Sequence, residues 1–97
     1  LGTGIGGTIL IGGDLYRGHS CSAGEWGNML IEGKTIKEAA SISGLIRLVR
    51  KYKGKGEWNG KRIIEMYDTG DRDVAQAVGI FFKHLACGIS TLAYTFN

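Results

Sequence analysis

The spacing of apolar positions changes about a third of the way along the chain. Up to Gly33 the apolar residues are β-branched or alternating and are separated by glycines; beyond it they recur at intervals of three and four. The first pattern predicts strands. Ile5 to Ile11 reads as one strand, Gly12-Gly13-Asp14 supplies residues suited to positive φ, and Leu15 to Arg17 begins a return strand, which together make a hairpin. A third short strand is expected at Asn28 to Glu32, and the three form a β-meander over residues 1–33.

The second pattern predicts helices over residues 34–97. Thr35 and Glu38 have the spacing of a capping box, in which each side chain takes up an amide hydrogen at the helix start. Ser41 can cap a second helix with Ile42, Leu45, Ile46, Val49 and Tyr52 along one face, ending at Gly54. Asn59 can cap a third, bearing Ile63, Ile64, Met66 and Tyr67 and stopping at Gly70. Asp71 and Asp73 place negative charge at the start of a long final helix, where the dipole favours it. Its apolar stripe is Val74, Val78, Phe81, Phe82, Leu85, Ile89, Leu92 and Phe96.

So wide a stripe, interleaved with alanines and glycines, is expected to lie on a sheet. Three short strands are a thin sheet for such a helix, so the α/β unit is expected to be incomplete, with further strands beyond either end or in a partner chain. No apolar run reaches the roughly 20 residues of a membrane span before a charge or glycine interrupts it, and no membrane partner is expected. The chain opens at Leu1 without methionine or leader and is read as a fragment.

Composition narrows the class. With 43% hydrophobic and 22% charged residues in 97, the chain is an ordinary globular one, and neither disordered nor fibrous. Cys21 and Cys87 make neither a disulfide framework nor a zinc site, which fits a reducing, cytoplasmic setting; Cys87 reads as a small core residue. Part of the +3 charge comes from Arg47, Arg50, Lys51, Lys53 and Lys55 around the end of the second helix. Without aromatics suited to base stacking, this reads as a solvated face complementing a helix carboxyl end, and nucleic acid is not expected as a partner. His84, beside the apolar stripe, reads as a partly buried structural histidine, and His19 receives no role.

Two segments could carry chemistry. Glycines at 2, 4, 6 and 7 around Thr3 and Ile5 let backbone amides converge on an anion with no Cβ in the way. No Gly-Lys-Ser/Thr follows, and the segment opens into a strand where a dinucleotide fingerprint would enter a helix, so it is neither a P-loop nor a Rossmann turn. The second segment, Ala23-Gly24-Glu25-Trp26-Gly27-Asn28, holds a carboxylate between glycines, suited to accept hydrogen bonds from neighbouring sugar hydroxyls.

Taken together, Gly-Thr-Gly-Ile-Gly-Gly, the Gly-Gly turn with Leu15, Gly18 and Ala-Gly-Glu-x-Gly resemble the ROK family of sugar kinases and repressors. Gly70-Asp71-Arg72-Asp73-Val74-Ala75 and Leu85-Ala86-Cys87-Gly88-Ile89 are similar to its long helix, so the resemblance spans nearly the whole chain. It implies the second lobe of a ribonuclease-H-like, actin-like two-lobed fold. It places Gly2, Thr3, Gly4 and Gly6 at the phosphates of ATP, with Thr3 offering its hydroxyl to the terminal phosphate, and Glu25 at the sugar. Most of the family carries a zinc-ligating histidine where this chain has Asn28, and no cysteine-rich loop follows here. The resemblance is therefore to zinc-free Gram-positive members such as β-glucoside kinases, with Asn28 as a substitute sugar ligand and no zinc.

The implied function is ATP- and Mg²⁺-dependent phosphorylation of a hexose or hexoside by a homodimeric parent protein. The family's catalytic aspartate and its Asp-x-Gly-Gly loop are not in this sequence. Asp14, Asp68, Asp71 and Asp73 lie at a turn or around a helix boundary, so the fragment is expected to be inactive by itself. A sugar-binding lobe of a ROK repressor is the alternative, and a non-catalytic module dimerising through its last helix is a third reading.

Overall fold

The computed structural model describes all 97 residues as two small hairpins followed by four helices. The hairpins come first. Strands β1 (Leu10–Ile11) and β2 (Asp14–Leu15) pair antiparallel across Gly12 and Gly13, whose φ values of 59° and 89° are those that a tight two-residue turn demands. A single 3₁₀ turn, Trp26–Asn28, leads to β3 (Leu30–Ile31), which pairs with β4 (Lys34–Thr35). The helices are α1 (Ile36–Ala40), α2 (Ile42–Lys53), α3 (Gly60–Asp68) and α4 (Arg72–Phe96).

The expected three-stranded meander is replaced by two separate two-stranded ribbons. Only Leu10 and Ile11 of the Ile5–Ile11 segment are paired, because a strand needs a neighbour for its amides and residues 5–8 have none. At 28–32, Asn28 closes the 3₁₀ turn, and the strand is limited to Leu30–Ile31, pairing forward.

Each helix starts where its cap predicts. Thr35 Oγ1 accepts from the Glu38 amide at 3.4 Å while Glu38 Oε2 accepts from the Thr35 amide at 3.1 Å, completing the box. Ser41 Oγ accepts from Gly44 N at 3.1 Å, Asn59 Oδ1 from Arg62 N at 2.9 Å and Asp71 Oδ1 from Val74 N at 2.9 Å. Gly54 and Gly70 adopt positive φ just past α2 and α3.

The core is helical. Ile36, Ala40, Leu45, Val49, Trp58, Ile63, Val74, Ala77, Val78 and Phe81 form one buried cluster. Within residues 1–97 the elements packed on α4 are α1, α2 and α3, with β3 touching its flank, and no sheet lies against it. Trp58, in the segment between α2 and α3, is buried, with its Nε1 donating to the Gly54 carbonyl at 3.1 Å and the Arg62 guanidinium 4.1 Å from its ring centroid.

At about 1.5 Å per residue, the 25 residues of α4 run some 37 Å, longer than the helices packed on it. The chain is accordingly elongated, 45 × 25 × 22 Å. Val74, Val78 and Phe81 of the expected stripe are buried, whereas Phe82, Ile89 and Phe96 are 57%, 59% and 51% exposed. Cys87, expected in the core, is exposed because it is turned about 100° around α4 from Gly88, the position that faces Ile36 and Ile31. By length and composition α4 could cross a membrane; one side of it rests on α1 to α3, and 22% of its most apolar stretch is buried.

Candidate functional site

Residues 1–9 have no regular structure and are fixed at a few points. The Gly2 amide donates to the Gly4 carbonyl at 3.0 Å, and the Gly2 carbonyl accepts from Ile42 N at 2.8 Å, which ties the segment to the first turn of α2. From Thr3 to Gly7 no amide donates to any group in the chain. Gly2 thus spends its own amide on the turn, and those of Thr3, Gly4 and Gly6 are left available.

The glycines divide by what surrounds them. A Cβ at Gly7 would strike the Trp26 indole, one at Gly24 would lie 2.9 Å from Thr8 Cα, and one at Gly27 would run into the Ile5 carbonyl. These three permit close packing. A Cβ at Gly2, Gly4 or Gly6 would meet nothing within 4 Å, so those glycines leave open space beside the chain, and the amides of Gly4 and Gly6 are unpaired. No packing within the chain requires a glycine at these three positions.

Gly24 and Gly27 bring the second segment onto the first. Glu25 caps the 3₁₀ turn between them; Trp26 N donates to the Gly24 carbonyl at 2.8 Å, and Asn28 N to the Glu25 carbonyl at 3.1 Å. Glu25 is exposed and its carboxylate has no partner. Trp26 turns inward and meets Phe96 edge to face, ring centroids 5.6 Å apart, so the end of α4 braces the turn. Asn28 is exposed, and Lys37 Nζ donates to its Oδ1 at 3.0 Å from the first turn of α1.

The structure therefore places the turn holding Glu25 and Asn28 directly against residues 5–8, a few residues from Thr3 and Gly4. Lys37 was missed in the sequence, because a cation nine residues from Asn28 across a turn leaves no periodic signal. Two of the basic residues of α2 have structural tasks: Lys53 pairs with Asp71 at 2.6 Å, and Arg47 donates to the Glu38 carbonyl at 2.8 Å. His84 is mostly covered, its Nε2 lies 3.3 Å from Glu32 Oε2, and its buried Nδ1 has no partner; His19 is exposed. Asp71 is committed to its cap and to Lys53.

Comparison with solved structures gives the class. The fold is the α/β fold of actin-like ATPases, as found in ROK sugar kinases. A ROK family protein from Streptococcus pneumoniae, solved with sucrose, aligns with a TM-score of 0.88 at 30% identity over 99% of this chain and 35% of its own. A ROK family glucokinase from Streptomyces griseus, solved with glucose and AMPPNP, aligns at 0.83 and 24% identity over 99% of this chain and 39% of its own, a likeness of fold alone.

The chain belongs to the ROK family, whose model matches residues 1–97. It is 37% identical over 99 residues to an uncharacterized protein of Clostridium perfringens and 33% identical over 107 residues to a beta-glucoside kinase of Listeria monocytogenes. Both alignments take in the whole chain but only 34% and 36% of those relatives, so the chain spans about a third of their length.

Proposed function

We propose that the full-length protein transfers the terminal phosphate of ATP to a hydroxyl of a hexose or hexoside, and that residues 1–97 form part of its second lobe. The observation that carries this is the packing of Gly24 and Gly27 on Thr8 and Ile5, which sets the turn bearing a partnerless carboxylate against a segment of partnerless amides. One suits a polyhydroxylated ligand, the other a phosphate, and a phosphotransferase needs both in one crevice. The beta-glucoside kinase relative supports the same reaction class.

Gly2, Thr3, Gly4 and Gly6 hold the nucleotide's phosphates, with Thr3 contributing its hydroxyl, and Glu25 and Asn28 accept and orient the sugar. ATP supplies the phosphoryl group, and Mg²⁺ neutralises charge on it. Glu25 binds and orients and is not the base; the aspartate that takes the proton of the attacking hydroxyl belongs to another part of the protein, so the 97-residue chain alone is inactive. The reading assigns no zinc, since position 28 is asparagine. It places the protein in the cytoplasm, where ATP is supplied, and includes a homodimer.

The test is ADP release by the full-length protein with ATP, Mg²⁺ and a panel of hexoses and β-hexosides. Sugar-dependent turnover is expected with at least one of them. Sugar binding without turnover on any member would favour the repressor alternative and remove the kinase reading.

A further inference from the structure

Lys37 has one side-chain hydrogen bond, to Asn28 Oδ1 at 3.0 Å, and no carboxylate within ion-pair distance. An ammonium has three donors and no acceptor, so the amide atom turned toward it must be the oxygen. The Asn28 Nδ2 group then points away from Lys37, with both of its hydrogens unused. Asn28 ends the 3₁₀ turn that Glu25 begins, and its backbone amide donates to the Glu25 carbonyl at 3.1 Å. One short turn thus carries a group that only accepts, the Glu25 carboxylate, and a group that only donates, the Asn28 amide nitrogen.

We propose that Lys37 is a positioning residue that holds the Asn28 amide in this one orientation, so that the turn offers an acceptor and a donor, three residues apart, to two hydroxyls of the sugar. The inference rests on the proposed sugar site. The base of Lys37 is itself held, since it is the second residue of α1, whose start the Thr35–Glu38 capping box fixes. Without the ammonium the amide can rotate by half a turn and present its oxygen, so the donor is no longer held ready for the sugar and affinity falls. Lys37 therefore acts on sugar affinity, through Asn28, and not on the transferred phosphate.

The experiment compares Lys37→Met, Lys37→Arg, Asn28→Ala and the double variant Lys37→Met/Asn28→Ala in the full-length protein. Circular dichroism first confirms that each is folded; Lys37→Gln, which keeps a polar stem, replaces Lys37→Met if that variant is not. Lys37→Met is expected to raise the sugar KM about 3- to 10-fold, the range of one charge-assisted hydrogen bond at a wet site, with kcat and the KM for ATP within about twofold. Lys37→Arg should restore most of the sugar affinity, and in the Asn28→Ala background Lys37→Met should change nothing further.

An active wild type whose sugar KM is unmoved by Lys37→Met overturns this inference alone, as does a Lys37→Met effect that persists undiminished without Asn28. A wild type inactive on every sugar removes the kinase reading and this inference with it.

Discussion

Lys53 Nζ lies 2.6 Å from Asp71 Oδ2, joining the carboxyl end of α2 to the residue that caps α4. Asp71 serves two partners at once, its other oxygen accepting from Val74 N at 2.9 Å. The hydrogen bond from Lys53 and that from the Val74 amide hold the Asp71 carboxyl below its ordinary 3.8, and the same carboxylate raises Lys53 above 10.5.

The pair therefore has a pH signature with a definite sign. A carboxyl depressed in the folded state contributes its stabilisation fully above its unfolded value of 3.8 and loses it as pH falls through the lower folded value. A lysine raised in the folded state contributes below 10.5 and loses it as pH climbs through its higher folded value. Urea unfolding of wild type and Lys53→Met across pH should show a constant gap at neutral pH that narrows below 3.8 and again above 10.5. A gap that is flat across both limbs would show that the contact does not form in solution.

Gly24 and Gly27 should be intolerant of a methyl group. Gly24 has φ of 93° and would place a Cβ 2.9 Å from Thr8 Cα, so Gly24→Ala combines backbone strain with a clash against main chain. A loss of about 1 to 3 kcal/mol in denaturant unfolding is expected, with weaker sugar binding, because the turn must lift off residues 5–8. Gly4→Ala, which meets nothing within 4 Å, should unfold like wild type and impair only nucleotide binding.

Ser41 has no solvent exposure, and its hydroxyl satisfies the Gly44 amide at the start of α2. Ser41→Ala should cost about 1 to 2 kcal/mol, since it removes a cap and leaves a buried donor unpaired. Ile63→Ala, at 1% exposure, should cost more, about 2 to 4 kcal/mol, through its lost burial and the cavity left behind. Thermal unfolding of the two variants should rank them in that order.

The proposed site predicts a split in kinetic constants. Glu25→Gln should raise the sugar KM at least about 10-fold with the ATP KM little changed, while Thr3→Val should lower kcat by about 10-fold with the sugar KM preserved. Steady-state kinetics of the full-length variants decide it; a Thr3→Val effect confined to the sugar KM would contradict the assignment of Thr3 to phosphate.

What could be read in advance divides by distance along the chain. Thr35 with Glu38, Ser41 with Gly44, Asn59 with Arg62 and Asp71 with Val74 are all bonded at a separation of three residues, so local chemistry alone announces each helix start. The Gly12-Gly13 turn was legible for the same reason. The strand from Ile5 was not, because pairing depends on a distant neighbour that these residues do not have here, and the burial of Trp58 and exposure of Cys87 depend on which side of each element the other helices approach.

The sequence by itself determined the caps, the turns, the helix order and the two glycine-bounded segments, since each depends on bonds within a few residues. Only the tertiary structure decided that Gly24 and Gly27 lie on Thr8 and Ile5, that Lys37 reaches Asn28, and that α4 rests on helices. Those contacts join residues whose spacing carries no period, and they form only when packing of the whole chain closes the loops between them.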